Sequence, residues 1–258
     1  MIMRSLVSIT AVALVASGIF ISQTLASSLE TIETRGRLIV GIKNNLPPLG
    51  FLDQSGNLKG FEIDISQQLA KELLGSATHL ELLPVKNSER FPALWSDRVD
   101  LLIAQVTLTK NRSRLMEFSL PYYTDATVLI ARQGSKPSDF SREDDLIGVV
   151  KGSETISILQ GSFPKVKLIG ADSYQSGLEA LKQGKIKGFA GDGIALADWL
   201  KQNPEFTQVG NKLAFHSLAI ALPRGEQYNS LRLRVYKIVE GWRQSGWLQE
   251  RATFWGLP

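Results

Sequence analysis

Apolar residues recur along this chain in two alternating rhythms. Short runs such as Leu38-Ile-Val, Leu80-Glu-Leu-Leu and Val99-Asp-Leu-Leu-Ile-Ala are bounded by turn residues, whereas Ile65, Leu69, Leu73 and Leu74 return at helical spacing. The runs predict strands at 37–41, 80–84 and 99–104, and the spacing predicts a helix from Asp64, its expected N-cap, to Leu74. A shorter helix opens at Asn87-Ser88, carries Phe91 and Leu94, tolerates Pro92 in its first turn and ends at Ser96-Asp97. Residues 122–130 and 216–222 read as extended. Leu231 to Trp255 reads as helix with Val235, Ile238, Trp242 and Trp247 on its apolar face, the tryptophans as packing residues and not a sugar platform. Strands alternating with helices predict an α/β fold with parallel sheet.

The plan repeats. Ala93 to Gln105 and Ala180 to Asp192 each run from a helix end through a polar turn into a strand with a polar tip, and Leu38-Ile-Val-Gly-Ile-Lys43 resembles Leu146-Ile-Gly-Val-Val-Lys151. Two similar lobes explain both pairs, and each would turn the C-terminal ends of its strands toward one crevice, where open α/β sheets bind ligands. The two extended segments then serve as hinge strands, a device for closure around a ligand. The expected division is 27–123 with 219–258 for lobe 1 and 124–218 for lobe 2.

Composition narrows the class. Arg4 is the only charge before an apolar stretch from Leu6 to Ile21, and Thr24-Leu25-Ala26 comes next as a small-residue cleavage site, so residues 1–26 read as a secretory signal removed after Ala26. The competing reading is a membrane anchor. Gly18, scattered serines and the short span argue against it. With no cysteine there is neither a lipid-modified cysteine nor a disulfide, so the exported chain relies on its own core. A formal charge of +4, with Lys and Arg interspersed among acids, gives no case for nucleic acid.

The most informative polar run is Thr107-Leu-Thr-Lys-Asn-Arg112, just beyond the Val99 strand. A guanidinium fork matches two carboxylate oxygens, and Thr109 is placed to cap a helix whose free N–H groups favour an anion, so the run suits a small acid. Taken alone, an arginine in a first helical turn is more often a solvated surface residue. A second charged element, Phe189-Ala-Gly-Asp192, strengthens the reading. His79 and His216 are isolated in sequence, and no metal-ligand spacing, Gly-x-Ser-x-Gly or Ser/His/Asp arrangement is present, so neither a metal nor a cofactor is expected.

Leu38-Ile-Val-Gly-Ile-Lys-Asn-Asn-Leu-Pro-Pro48, Gly60-Phe-Glu-Ile-Asp64, Val99 through Arg112, Phe118-Ser-Leu-Pro-Tyr-Tyr123 and Phe189-Ala-Gly-Asp192, in that order, resemble the extracellular solute-binding proteins of family 3, the type II periplasmic binding proteins of polar amino-acid ABC importers. The resemblance spans about Thr34 to Trp255. It implies a bilobed Venus-flytrap fold, a periplasmic location, one L-amino acid as ligand, an inner-membrane ABC permease as partner, a monomer and no catalytic residue. Carried over, Arg112 grips the ligand α-carboxylate and Asp192 the α-ammonium. Thr107 offers a hydroxyl at the clamp, and Gln105 stands where a small residue usually lends its carbonyl to the ammonium. Gly152-Ser153-Glu154-Thr155 matches the second-lobe loop that donates N–H groups to the carboxylate. A buried zwitterion needs one cation and one anion, because an unpaired buried charge costs several kcal/mol.

Departures from the pattern bear on selectivity. Leu46 and Asn87 stand where many members place aromatics, which argues against an aromatic clamp. Lys43 and Arg90 stand where members binding glutamate and aspartate carry cations, though singly each also reads as a solvated surface residue. Together they favour glutamate, aspartate or their amides. Glu154 points the other way, toward a basic ligand or an ion pair with Lys43. Two alternatives share the fold: a periplasmic cyclohexadienyl dehydratase or lytic transglycosylase, for which Glu154 is the one unassigned general acid, and a ligand-sensing receptor domain, which the end at Pro258 without a second span or signalling module disfavours.

Overall fold

The computed structural model describes residues 28–257. The expected leader and its cleavage site lie outside the described residues. The strands are β1 Leu38–Ile42, β2 Asn45–Leu46, β3 Gly50–Leu52, β4 Leu58–Lys59, β5 Leu80–Pro84, β6 Leu101–Ile103, β7 Glu117–Arg132, β8 Leu146–Val150, β9 Lys167–Ala171, β10 Gly188–Asp192, β11 Phe206–Gln208 and β12 Ala214–Leu222. The helices are α1 Leu29–Arg35, α2 Phe61–Leu74, α3 Arg90–Trp95, α4 Thr155–Ser162, α5 Tyr174–Lys182, α6 Gly193–Gln202, α7 Asn229–Gln244 and α8 Trp247–Phe254.

The main sheet runs β5-β1-β6-β12-β7-β10-β8-β9, with β11 beside β7. Its two ends are small parallel sheets built alike: β1 pairs in parallel with β5 and β6, and β8 pairs in parallel with β9 and β10. The sequence repeat therefore corresponds to equivalent positions in two half-sheets. β1 and β10 are buried almost end to end because helices cover both faces, which is why their sequences read as continuous apolar runs. Between the halves, β7 and β12 pair antiparallel from Ala214↔Thr127 to Leu222↔Glu117, with irregular register between Leu218 and Ala221. These are the expected hinge strands, longer than the apolar pattern indicated. The result is a bilobed α/β fold.

Three local expectations fail. α2 starts at Phe61, not after Asp64, and its cap is Gly60 at φ 132°. A Cβ there would lie 2.2 Å from the Leu49 carbonyl oxygen, so only glycine fits. Asp64 instead accepts from Trp255 Nε1 at 2.8 Å and faces Arg251 at 3.6 Å. The terminal helix is two helices, broken at Gly246 in the left-handed region (φ 78°). Thr109 does receive the Arg112 N–H at 3.2 Å, but the segment it introduces is only a three-residue 3-10 turn, Arg112–Arg114, with no helix N-terminus to hold an anion. The tryptophans pack as expected: Trp242 is buried, its ring 5.0 Å from Trp247, and its Nε1 donates to Glu72 at 2.6 Å. No helix among the described residues is long and apolar enough to cross a membrane.

Candidate ligand site between the half-sheets

The cleft is built where β6 and β10 end. Beyond β6 the backbone turns through Gln105, a non-glycine residue at φ 54°. Such a conformation costs about 1 kcal/mol or more and survives only when surroundings over-determine it. Here they do. The Gln105 N–H donates to Glu62 Oε1 at 2.7 Å, and its carbonyl accepts from Arg90 Nη1 at 3.0 Å. Its side-chain amide donates to Asp192 Oδ2 and lies 3.5 Å from the Tyr174 hydroxyl. The carbonyl expected to meet a ligand ammonium is thus occupied by Arg90, and the amide occupies Asp192 instead.

Arg90 is 1% exposed, which excludes the surface-residue reading. Its Nη1 also donates to the Ala104 carbonyl at 2.8 Å, and Nη2 reaches across to the Gly152 carbonyl at 3.3 Å. Lys43 is buried as well, with Nζ donating to the Val85 carbonyl at 3.2 Å. Burial, reinforced by Arg90, pulls the Lys43 ammonium down to about 8, and burial next to Arg112 brings the Arg90 guanidinium down to about 10. Arg112 donates through Nη1 to the Thr107 carbonyl at 3.0 Å, so Thr107 contributes its backbone, and not the expected hydroxyl, to this contact. Phe91 sits under both arginines, 5.0 Å from the Arg90 guanidinium carbon and 5.2 Å from that of Arg112.

From the other wall, Glu154 faces Arg112 at 3.4 Å. The expected partner, Lys43, is not the one it meets. Ser153 N–H donates to the Val150 carbonyl at 3.2 Å, so that loop donor is already used, and Thr155 is buried at the start of α4. Leu46 is buried in the main core and lines a cavity of ≈ 390 Å³ with Tyr174, Glu179, Lys182, Asp198 and Trp199. The aromatic side chains of this cavity come from α5 (Tyr174) and α6 (Trp199), not from the position of Leu46. Buried polar atoms without a partner include Asn87 Oδ1 and Arg90 Nε on one wall and Ser153 Oγ on the other.

Two groups escaped the sequence. Glu62, fully buried in the first turn of α2, accepts from Tyr122 Oη at 2.5 Å as well as from Gln105. Burial raises its carboxyl, against the pull of Tyr122, Gln105, Arg90 and Lys43. The motif Gly60-Phe-Glu-Ile-Asp64 contained it, but an acid in a first turn reads as a solvated dipole partner. His216 is the second, and it is not isolated. Hinge register sets it opposite Asp125, its Nε2 lies 3.1 Å from Asp192 Oδ1, and all three residues offer ligand atoms within 4.8 Å of one another, a group that could hold a metal ion. Burial and the Asp192 charge push the Asp125 carboxyl up to about 6. Burial opposes charging of His216, but Asp192 and Asp125 outweigh it and raise the imidazole. His79 is exposed and apart from any such group.

The site is therefore a buried arrangement of fixed cations and anions, with polar atoms on both walls, whose chemistry suits a small charged solute. Comparison with known proteins agrees. The family described as "Bacterial extracellular solute-binding proteins, family 3" matches residues 38–257. A glutamine-binding protein of Geobacillus stearothermophilus is 30% identical over 183 residues, 70% of each chain. The L-cystine-binding protein TcyJ of Escherichia coli (strain K12) is 28% identical over 257 residues, 98% of this chain and 94% of its own. A solute receptor for L-cysteine of Neisseria gonorrhoeae superposes with a TM-score of 0.82 at 27% identity, covering 88% of this chain and 92% of that one. With almost every described strand and helix inside the family match, the chain belongs to the bacterial extracellular solute-binding proteins, family 3.

Proposed function

We propose that this chain captures a polar L-amino acid between its lobes in the periplasm and delivers it to an ABC permease, as a monomer, with glutamate, aspartate or their amides preferred. Arg112 grips the α-carboxylate, Asp192 the α-ammonium, and Lys43 and Arg90 face the side chain. The observation that carries this is the pairing of buried, incompletely bonded polar atoms on both walls with fixed charges of both signs. Two buried cations beside each other disfavour an arginine or lysine ligand and suit a carboxylate or amide oxygen. The lobes are proposed as 27–123 with 219–258, and 124–218, which the register shift at Leu218 and Ala219 supports. Glu154, the general acid an enzyme on this fold would need, is engaged by Arg112, in keeping with carriage and not catalysis.

A second reading is a disulfide-linked bis-amino acid. The relative matching almost end to end binds L-cystine, and the cavity beside Leu46 and Tyr174 places Lys182 with Glu179 and Asp198, one cation and two anions for a second zwitterionic end. One thermal-shift panel of the twenty L-amino acids plus L-cystine decides. A ligand at 100 times its dissociation constant stabilises by roughly 2.7 kcal/mol. Glutamate, aspartate, glutamine or asparagine should give the largest shift. A larger shift with cystine selects the second reading, and no shift with any refutes both. Export is checked by intact mass: mature protein should begin at Ser27, and membrane-bound material retaining Met1 would refute it.

A further inference from the structure

Both charged ends of the proposed site already hold a partner from the opposite wall. Arg112 meets the Glu154 carboxylate, and Asp192 holds the Gln105 amide. The two contacts differ in kind. Gln105 is locked by its backbone and 3% exposed, whereas Glu154 has a side chain 27% exposed and makes no capping hydrogen bond at the start of α4. Glu154 can swing into solvent without leaving a helix end uncapped. Arg112 does not depend on it for position, because the Thr107 carbonyl and the Phe91 ring hold the guanidinium from its own side. At 3.4 Å, Glu154 offers the fork one loosely held oxygen, while a free carboxylate can offer two in parallel.

We infer that Glu154 is a tethered competitor for Arg112: it occupies the place of the ligand α-carboxylate, holds the lobes together without ligand, and sets affinity by having to leave first. This rests on the assignment of Arg112 as the carboxylate clamp. The apparent dissociation constant is the intrinsic one divided by the fraction of molecules with Arg112 free. A partly exposed ion pair of this kind lowers that fraction by about two- to fivefold.

The test is Glu154→Gln, which keeps length and shape and removes the charge. Calorimetry with L-glutamate, L-glutamine and L-cystine, each used separately, should show about two- to fivefold tighter binding of whichever ligand the parent protein takes. The chain has no native cysteine, so Ser55→Cys and Gln183→Cys, both at exposed positions on opposite lobes, accept dyes at defined sites. Without ligand, the dye separation should increase in Glu154→Gln relative to its labelled parent. Unchanged affinity, or an unchanged separation, overturns the proposal. Weaker binding also overturns it, by making Glu154 a ligand contact. Arg112→Ala separates the two layers. Retained affinity in that variant removes the clamp itself, whereas lost affinity beside a wild-type Glu154→Gln removes only the tethered competitor.

Discussion

Glu62→Ala should unfold the protein about 3 kcal/mol more easily, although the residue touches neither solvent nor the proposed ligand clamp. Its Oε1 receives the Gln105 N–H at 2.7 Å and the Tyr122 O–H at 2.5 Å, and both donors are buried. Deleting the acceptor leaves two buried donors unpaired, each at about 1 to 3 kcal/mol. Arg90 and Lys43 also lose a countercharge. Lys43, already down at about 8, escapes part of that cost by releasing its proton, while Arg90 keeps three carbonyl acceptors. Relief of the burial penalty on Glu62, whose Oε2 has no partner, works the other way. The net lies at the lower end of the roughly 3 to 5 kcal/mol for removing one member of a buried charged pair. Glu62→Gln keeps an acceptor and should cost about 1 kcal/mol. In urea denaturation followed by circular dichroism, a slope of about 2 kcal/mol/M turns 3 kcal/mol into a midpoint shift of about 1.5 M. Affinity for the ligand should fall too, because Gln105 loses the bond that holds its left-handed turn. An alanine midpoint within about 0.2 M of wild type would refute the account, since no term that large could then act at Glu62.

Arg112→Ala and Asp192→Ala should each weaken binding by on the order of 2 to 5 kcal/mol in calorimetry, because each leaves one end of a buried zwitterion unpaired. Near-normal affinity in either removes that residue from the clamp. L-glutamate affinity should fall between pH 7 and 9 as Lys43, lowered to about 8 by burial and Arg90, loses its charge, while L-glutamine affinity changes less. Lys43→Met should abolish that difference, and parallel pH profiles for the two ligands in wild type would count against a side-chain role for Lys43. Asp125, raised to about 6, binds its proton more tightly folded than unfolded, so its burial costs stability that appears as pH rises from about 4 to 6. Asp125→Asn should therefore raise stability, and with it the melting temperature, at pH 7 by up to about 3 kcal/mol and give no gain at pH 4. An equal gain at both pH values would show that charge is not the cause.

Much of the architecture was legible because burial leaves a local trace. β1 and β8 read as strands from continuous apolar runs, since both faces of each are covered, and their matching surroundings announced two like halves. Arg112 and Asp192 stood out as opposite charges at the tips of two such strands. The helix boundaries were less legible: the Gly60 cap works through a close approach to Leu49, and the Gly246 break through a left-handed turn, neither of which alters the spacing of apolar residues.

By itself the sequence determined much of the strand and helix order and the two-lobed plan, because hydrophobic periodicity records only which face of each element leaves water, while its ordered motifs carried the resemblance to the family. Tertiary structure alone decided who pairs with whom. Gln105 and Asp192 are 87 residues apart, and Glu154 meets Arg112 in preference to Lys43. His216 finds Asp125 through the register of β7 with β12, and Glu62 becomes an interior charge because α2 buries its first turn. Hydrogen bonds and ion pairs act over about 3 Å and depend on direction, so they arise from the mutual placement of distant segments and leave no period in the chain.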